Sequence, residues 1–317
     1  MPTINTLRGP VDTASLGRTL MHEHVAIRTP GIGENWPELW VEDREVDIAE
    51  KKLNTLSSKG IGTIVDLTTA DMGRDLHYLK RVAERTTINV VLATGVYWIV
   101  PRYWWNREAD DLTRVFVKDI TEGIQGSDIK AGIIKLASDH EAGGVSELNE
   151  KCLRAGARAH RATGVPIATH NNPPELGREQ QRVFKEEGVD LTRIVIGHVG
   201  DTSDTGYLKE LMDNGSYVGM DRFGMDFLLP FEDRVNTVAT LCKDGYADRI
   251  VLSHDASCAL DWIPDRGAID TLAPNWHYNH IIDDVVPALL ERGVTQEQVD
   301  TMLIHNPRTI FERQGAY

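Results

Sequence analysis

One unit recurs along the chain: an amphipathic segment, a glycine, then a short apolar run ending on a polar or charged residue. It can be followed through SSKGIGTIVDL, ATGVPIATH, EEGVDLTRIVIGH, DNGSYVGMD and KDGYADRIVLSHD. A glycine just past a helix supplies the left-handed cap, and the β-branched run behind it predicts a buried strand. Val46, Ala49, Leu53 and Leu56, spaced by three and four, lay one apolar stripe on the helix predicted before Gly60. With RTLMHEHV, INVVLATGVYW and KAGIIKLA the pattern predicts eight strands, centred near residues 22, 65, 92, 133, 168, 196, 218 and 252. Near-continuous apolar strands alternating with helices require a parallel sheet covered on its outer face. Eight such units point to an α/β fold of the (β/α)8 TIM-barrel type. The doubly wound open sheet is the alternative, but no GxGxxG follows the first strand.

Composition narrows the picture. At 317 residues with 41% apolar content the chain fits one large barrel domain spanning residues 1–317, and no Pro-, Ser- or Gly-rich linker divides it. A formal net charge of −14 without a basic run disfavours nucleic acid and anionic membrane surfaces. Cys152, Cys242 and Cys258 are odd in number and widely spaced, so no disulfide framework is expected. No signal peptide is visible, and no apolar run approaches the roughly 18 residues of a membrane span. A cytoplasmic location is the resulting expectation.

The chemistry gathers at the predicted strand ends, where His22, His24, Asp66, Tyr97, Lys135, His170, His198, Asp221 and Asp255 stand. In a barrel that face assembles the active site. His22 and His24 lie two apart, so strand alternation aims both imidazoles to one side and Glu23 to the other. With His170, His198 and Asp255 they form a nitrogen and oxygen set suited to Zn, Co, Mn or Fe. Lys135, closing the apolar run GIIK, has a bland reading as a snorkelling or ion-paired residue. Beside two cations its amine can instead lose a proton and add carbon dioxide, giving a bridging carbamate. Asp66 and Asp221 are expected to support the ligands. His254 is read as packing, His77, His140 and His160 as solvated, and His277 and His280 as late-loop or surface residues. Tyr97, Trp98, Tyr103, Trp104 and Trp105 are either an apolar wall of the site or a dimer surface.

At this point the sequence resembles the phosphotriesterase-like branch of the amidohydrolase superfamily, in particular its lactonases. MHEHV, GIIKLA, PIATH, RIVIGHVGD, YVGMDRFG and VLSHD stand in the family's order, and the likeness runs to the terminal NPRTIFERQG. The resemblance implies a binuclear centre with two divalent metal ions, Zn, Co, Fe or Mn. His22 and His24 with Asp255 would hold the more buried ion, and His170 and His198 the more exposed one. N6-carboxylated Lys135 and a hydroxide would bridge them. It further implies that Tyr97 and Arg222 contact substrate. Trp262 would do so from the long segment after the eighth strand, which covers the site and shapes the channel for the substrate's tail. The sequence departs from the pattern after His170, at Asn171-Asn172-Pro173-Pro174, and over Trp98 to Asp111.

The function expected on this basis is metal-dependent opening of N-acyl-homoserine and related hydrophobic lactones, with promiscuous phosphotriesterase activity. Bridging hydroxide would attack, Tyr97 would assist the oxyanion, and Asp255 would pass the proton to the leaving group. The expected partner is a small lactone or neutral ester, and by likeness to the family the chain forms a homodimer. The alternatives are a dedicated organophosphate or carboxylic ester hydrolase and a non-catalytic barrel.

Overall fold

The computed structural model describes residues 2–140, 145–263, 265–312 and 315–317. Pro264 of the late segment and Arg313 and Gln314 of the terminal motif lie outside the described residues. An antiparallel hairpin of β1 (Thr3–Thr6) and β2 (Gly9–Asp12) comes first. Eight parallel strands follow: β3 (Arg18–Ile27), β4 (Ile61–Asp66), β5 (Asn89–Gly95), β6 (Ile133–Asp139), β7 (Ile167–Asn172), β8 (Ile194–Ile196), β9 (Tyr217–Met220) and β10 (Ile250–Leu252). Each falls on a strand predicted from the repeating unit. They neighbour one another in chain order, with helices between them, as a (β/α)8 barrel requires.

A further strand, β11 (Ser257–Leu260), was not foreseen. It runs parallel to the outer half of β3, with Ser257 opposite His24. Between β10 and β11 the Asp255 amide donates to the His22 carbonyl at 3.0 Å, and the His24 amide to that of Ala256 at 2.9 Å. These bonds close the barrel at the β3 seam.

Strand alternation sorts the apolar residues into two layers. Val65, Val91, Ala93, Ile133, Ala168, Val195 and Val251 point inward, where Ile4 of the hairpin and Ile310 and Phe311 near the C-terminus join them. Ile64, Val90, Leu92, Ile134, Leu136, Ile167 and Ile194 point outward onto the helices. The stripe of Val46, Ala49, Leu53 and Leu56 is wholly buried on the helix Glu42–Ser58. The helix Glu147–Thr163 shows how the units are punctuated. Ser146 caps its start by accepting from the Asn149 amide at 3.2 Å, and Gly164, at φ 77°, ends it.

That helix also corrects one expectation. His160 is not solvated: it is fully buried, its Nδ1 bonds the Val165 carbonyl at 2.7 Å and its Nε2 the Tyr317 hydroxyl at 2.7 Å. The C-terminal tyrosine folds back over it, a contact across 157 residues that local sequence cannot announce.

Candidate metal centre

The inward layer places the site. Ile133 and Ala168 face the barrel interior, so Lys135 and His170, two residues further along the same strands, face it too. On β3 the register against β4 shifts between Leu20 and Glu23. Beyond that irregularity His22 and His24 both reach the interior, as alternation predicted. His22, His24, Lys135, His170, His198 and Asp255 line one cavity of about 200 Å³. Tyr97, Arg222 and Trp262 line the same cavity. The six expected ligands and the three expected substrate contacts therefore meet there.

Lys135 is not a strand end, however. β6 continues to Asp139, whose carboxylate lies 3.1 Å from His170 Nε2. Two ligand positions sit outside the strands in left-handed backbone: His198 at φ 59° and Asp255 at φ 56°. Non-glycine residues rarely adopt this conformation, and it clusters at functional sites.

The four imidazoles share one pattern: one ring nitrogen is tied to an oxygen partner. His22 Nδ1 lies 2.9 Å from Asp221 Oδ2, and His198 Nδ1 3.0 Å from Asp221 Oδ1, so one carboxylate orients two rings. His24 Nδ1 meets Thr68 Oγ1 at 2.8 Å, with Asp66 further off at 3.9 Å. His170 is held through Nε2 by Asp139. Such partners fix the tautomer and aim the other nitrogen. Three of those second nitrogens converge on the Asp255 carboxylate, at 3.4 Å from His22 Nε2, 3.1 Å from His24 Nε2 and 3.5 Å from His198 Nε2. His22, His198 and Asp255 alone already cluster closely enough to hold an ion. The room for Asp221 comes from two glycines: a Cβ at Gly219 would stand 2.5 Å from Asp221 Oδ2, and one at Gly197 3.0 Å from it.

The electrostatics match a cation site. Burial pushes the imidazoles of His22 and His198 below their ordinary range and His170 down to about 3, leaving neutral ligands. Burial opposes a charge on Asp255, but the imidazoles around it and Arg222 hold its carboxyl well below the usual range. Lys135 Nζ sits 2.8 Å from His22 Nε2, and burial brings its amine down to about 7. A buried lysine of that kind is a neutral nucleophile for much of the time. Its amine is thus open to carboxylation.

Arg222 does more than line the pocket. Its Nε reaches Asp255 Oδ2 at 3.2 Å and its Nη1 reaches Asp201 Oδ2 at 2.9 Å, while Arg234 braces Asp201 at 2.6 Å. Tyr97 points its hydroxyl at His170 Nδ1, 3.5 Å away, and its ring lies 5.9 Å from that of Trp262.

Sequence reasoning missed the role of Glu23. Facing away from the cavity as alternation predicted, it is fully buried in the barrel seam. Its Oε1 accepts from Ser253 Oγ at 2.8 Å, the His254 amide at 3.0 Å and His254 Nδ1 at 2.7 Å. Its Oε2 accepts from the Ala256 amide at 2.8 Å. The signal available was an acid between two ligand histidines, with no outlet to solvent on a strand buried on both faces.

Comparisons with known proteins show the family. The model of the phosphotriesterase family matches residues 2–311. A phosphotriesterase homology protein of Mycobacterium tuberculosis is 52% identical over the full length of both chains. An aryldialkylphosphatase of Saccharolobus solfataricus is 40% identical, covering 95% of this chain and 96% of its own. The solved structure of the phosphotriesterase from Mycobacterium tuberculosis superposes with a TM-score of 0.95 at 51% identity over all of both chains. The chain belongs to the phosphotriesterase family.

Proposed function

We propose that this hydrolase-family chain is a binuclear metal-dependent lactonase, opening N-acyl-homoserine and related hydrophobic lactones and turning over neutral phosphotriesters as a side reaction. The observation that carries it is the single cavity of about 200 Å³ in which His22, His24, Lys135, His170, His198 and Asp255 converge. The donor set fits two divalent cations, since each imidazole turns one nitrogen inward and Lys135 lines the same cavity, 2.8 Å from His22 Nε2. Such ions would acidify a water to a nucleophile near neutral pH and polarise the scissile carbonyl or phosphoryl oxygen.

The remaining work falls to the chain's own groups. Neutral Lys135 Nζ attacks the carbon of carbon dioxide and releases a proton to solvent, leaving a carbamate that supplies two oxygen ligands. Asp255, ionised and pinned by Arg222, accepts the nucleophile's proton and returns it to the leaving alkoxide. Burial and the Asp255 charge raise the Tyr97 hydroxyl above its ordinary range, so it stays protonated and donates to the developing oxyanion. The relative named aryldialkylphosphatase supports the phosphotriester reaction.

The deciding experiment compares kcat/KM of one metal-loaded preparation on a long-chain acyl-homoserine lactone and on a neutral phosphotriester. A lactone preference of about a hundredfold, roughly 2.7 kcal/mol in transition-state binding, is expected. The reverse preference would make the chain an organophosphate hydrolase with the same metal centre. Turnover of neither with two ions bound would favour the non-catalytic barrel. Tyr97→Phe is expected to lower kcat about tenfold, less than the 10²–10³ of a sole oxyanion donor, with unchanged metal content.

A further inference from the structure

The strand β7 does not stop at its imidazole. It runs on through Asn171 and Asn172, where the sequence departs from the family's pattern. Asn171 is fully buried, and its Nδ2 donates to the Gly197 carbonyl at 3.0 Å and to Thr169 Oγ1 at 3.3 Å. Its Oδ1 has no partner among the described residues, yet turning the amide over would set that oxygen against the Gly197 carbonyl. The carbonyl after β8 therefore dictates which way the amide points.

Gly197 is the residue before His198. The peptide that joins them is held at both ends, its oxygen by Asn171 and its N–H by Asp221 Oδ1 at 2.8 Å. The orientation of that peptide plane sets φ at His198, and the value of 59° is one that a residue with a Cβ disfavours. Such a conformation persists where its surroundings over-determine it. The Gly197 amide adds a further tie, donating to Thr169 Oγ1 at 3.2 Å. No side chain fits at Gly197 itself, since a Cβ there would stand 2.0 Å from the Thr169 carbonyl oxygen.

Asn172 reaches the opposite neighbour. It stands across from Asp139 in the register of β6 and β7, and its Nδ2 donates to Asp139 Oδ2 at 3.1 Å. The same oxygen lies 3.1 Å from His170 Nε2. One carboxylate oxygen can accept from both groups, so Asn172 fixes the carboxylate without adding charge. The carboxylate in turn fixes the His170 ring, with Nδ1 left as the nitrogen to offer a ligand. The other contact of Asn172 Nδ2 is His140 Nδ1, at 3.3 Å on the exposed side.

We propose that Asn171 and Asn172 are positioning residues for the two imidazoles of one ion. Asn171 works through the peptide that carries His198, Asn172 through the carboxylate that holds His170, and together they set how tightly that ion is kept. This rests on the proposed binuclear reading, in which His170 and His198 share the more exposed ion and His22, His24 and Asp255 hold the other. Among the described residues neither asparagine bonds to those last three, so the effect falls on one ion and not on both.

The test is a chelator titration of protein loaded with two cobalt ions per chain, run on the wild type, Asn171→Leu and Asn172→Ala. Leucine keeps the branched outline of Asn171 and removes its donor without adding charge. Asn172 is only half-buried, so its truncation keeps the fold even if Asn171→Leu does not. Each variant is expected to lose one ion at a chelator concentration at least about tenfold below that of the wild type. The remaining ion should leave at the wild-type concentration. The visible cobalt spectrum of the one-ion form should match that of His198→Ala, which lacks a ligand to the more exposed ion. A purely structural role would lower the unfolding midpoint and loosen both ions together, and that result overturns the proposal. So does a one-ion spectrum that matches His24→Ala instead. Two ions held by wild type and variants alike overturn the positioning role alone and leave the binuclear reading standing. A wild type that never takes up more than one ion overturns that reading, and the proposal with it.

Discussion

Lys135→Met is expected to lower kcat/KM on the best substrate by about a thousandfold or more while the barrel stays folded. Its amine is fully buried, lies 2.8 Å from His22 Nε2 and is the one lysine placed among the imidazoles. Methionine matches the stem in length and apolar character, so packing is kept and the nitrogen is lost. Without a carbamate the remaining set is four imidazoles and one carboxylate, too little negative charge to hold two divalent ions close together. Metal per chain, measured by plasma emission spectrometry, should drop from two to one or fewer. A carbamate resonance in wild-type protein grown on ¹³C-bicarbonate should be missing from the variant. Asp255→Asn should give a loss of similar size, because it removes the anion on which His22, His24 and His198 converge. Near-wild-type turnover with two ions bound in either variant would sink the binuclear mechanism.

Most of this centre was legible because its parts lie at the ends of the pattern that predicts the fold. A glycine, an apolar run and a terminal polar residue marked β4 and β7 to β10, three further apolar runs added β3, β5 and β6, and in a parallel barrel their ends face one mouth. His170 followed from its place at the end of a predicted strand, and His22 and His24 from their spacing. What stayed hidden depends on residues far apart in sequence. The left-handed backbone at His198 and Asp255 leaves no trace in residue type, since neither is glycine. Lys135 reads as a strand end in the sequence, whereas β6 runs four residues further to Asp139, a length set by pairing with β7 as far as Asn172. The strand β11 exists only because β3 offers it an edge beyond β10. His160 looked solvated because the residue that covers it is the last of the chain. In the Trp98–Asp111 stretch the aromatic residues divide by environment. Trp98 and Trp104 line an apolar cavity of about 940 Å³ while Tyr103 and Trp105 are more than half exposed, and no periodicity separates the two fates.

The acid that faces away from the chemistry is expected to matter nearly as much as the ligands beside it. Glu23 accepts from two backbone amides, a hydroxyl and an imidazole around the turn that carries Asp255. The Ile281 amide donates to His254 Nε2 at 2.9 Å, which makes that nitrogen the acceptor and leaves the proton on Nδ1, aimed at Glu23. Trp276 Nε1 holds the same turn from outside through the carbonyls of His254 and Asp255. Glu23→Ala leaves the donors of this seam facing a void, at a cost of about 3–5 kcal/mol, read as a lower midpoint in urea with an unchanged slope. Stability alone would describe any buried acid. A positioning role adds a kinetic signature: the folded fraction of the variant, measured well below its unfolding temperature, should lose kcat at least thirtyfold with little change in KM. Asp255 depends on this turn for its left-handed backbone. Glu23→Gln separates the roles further. Its carbonyl oxygen still accepts from Ser253 and His254, but its amide turns a donor toward the Ala256 N–H, so the turn is displaced on one side only. It should recover most of the stability and only part of kcat. Equal recovery of both would reduce Glu23 to a structural brace for the barrel seam.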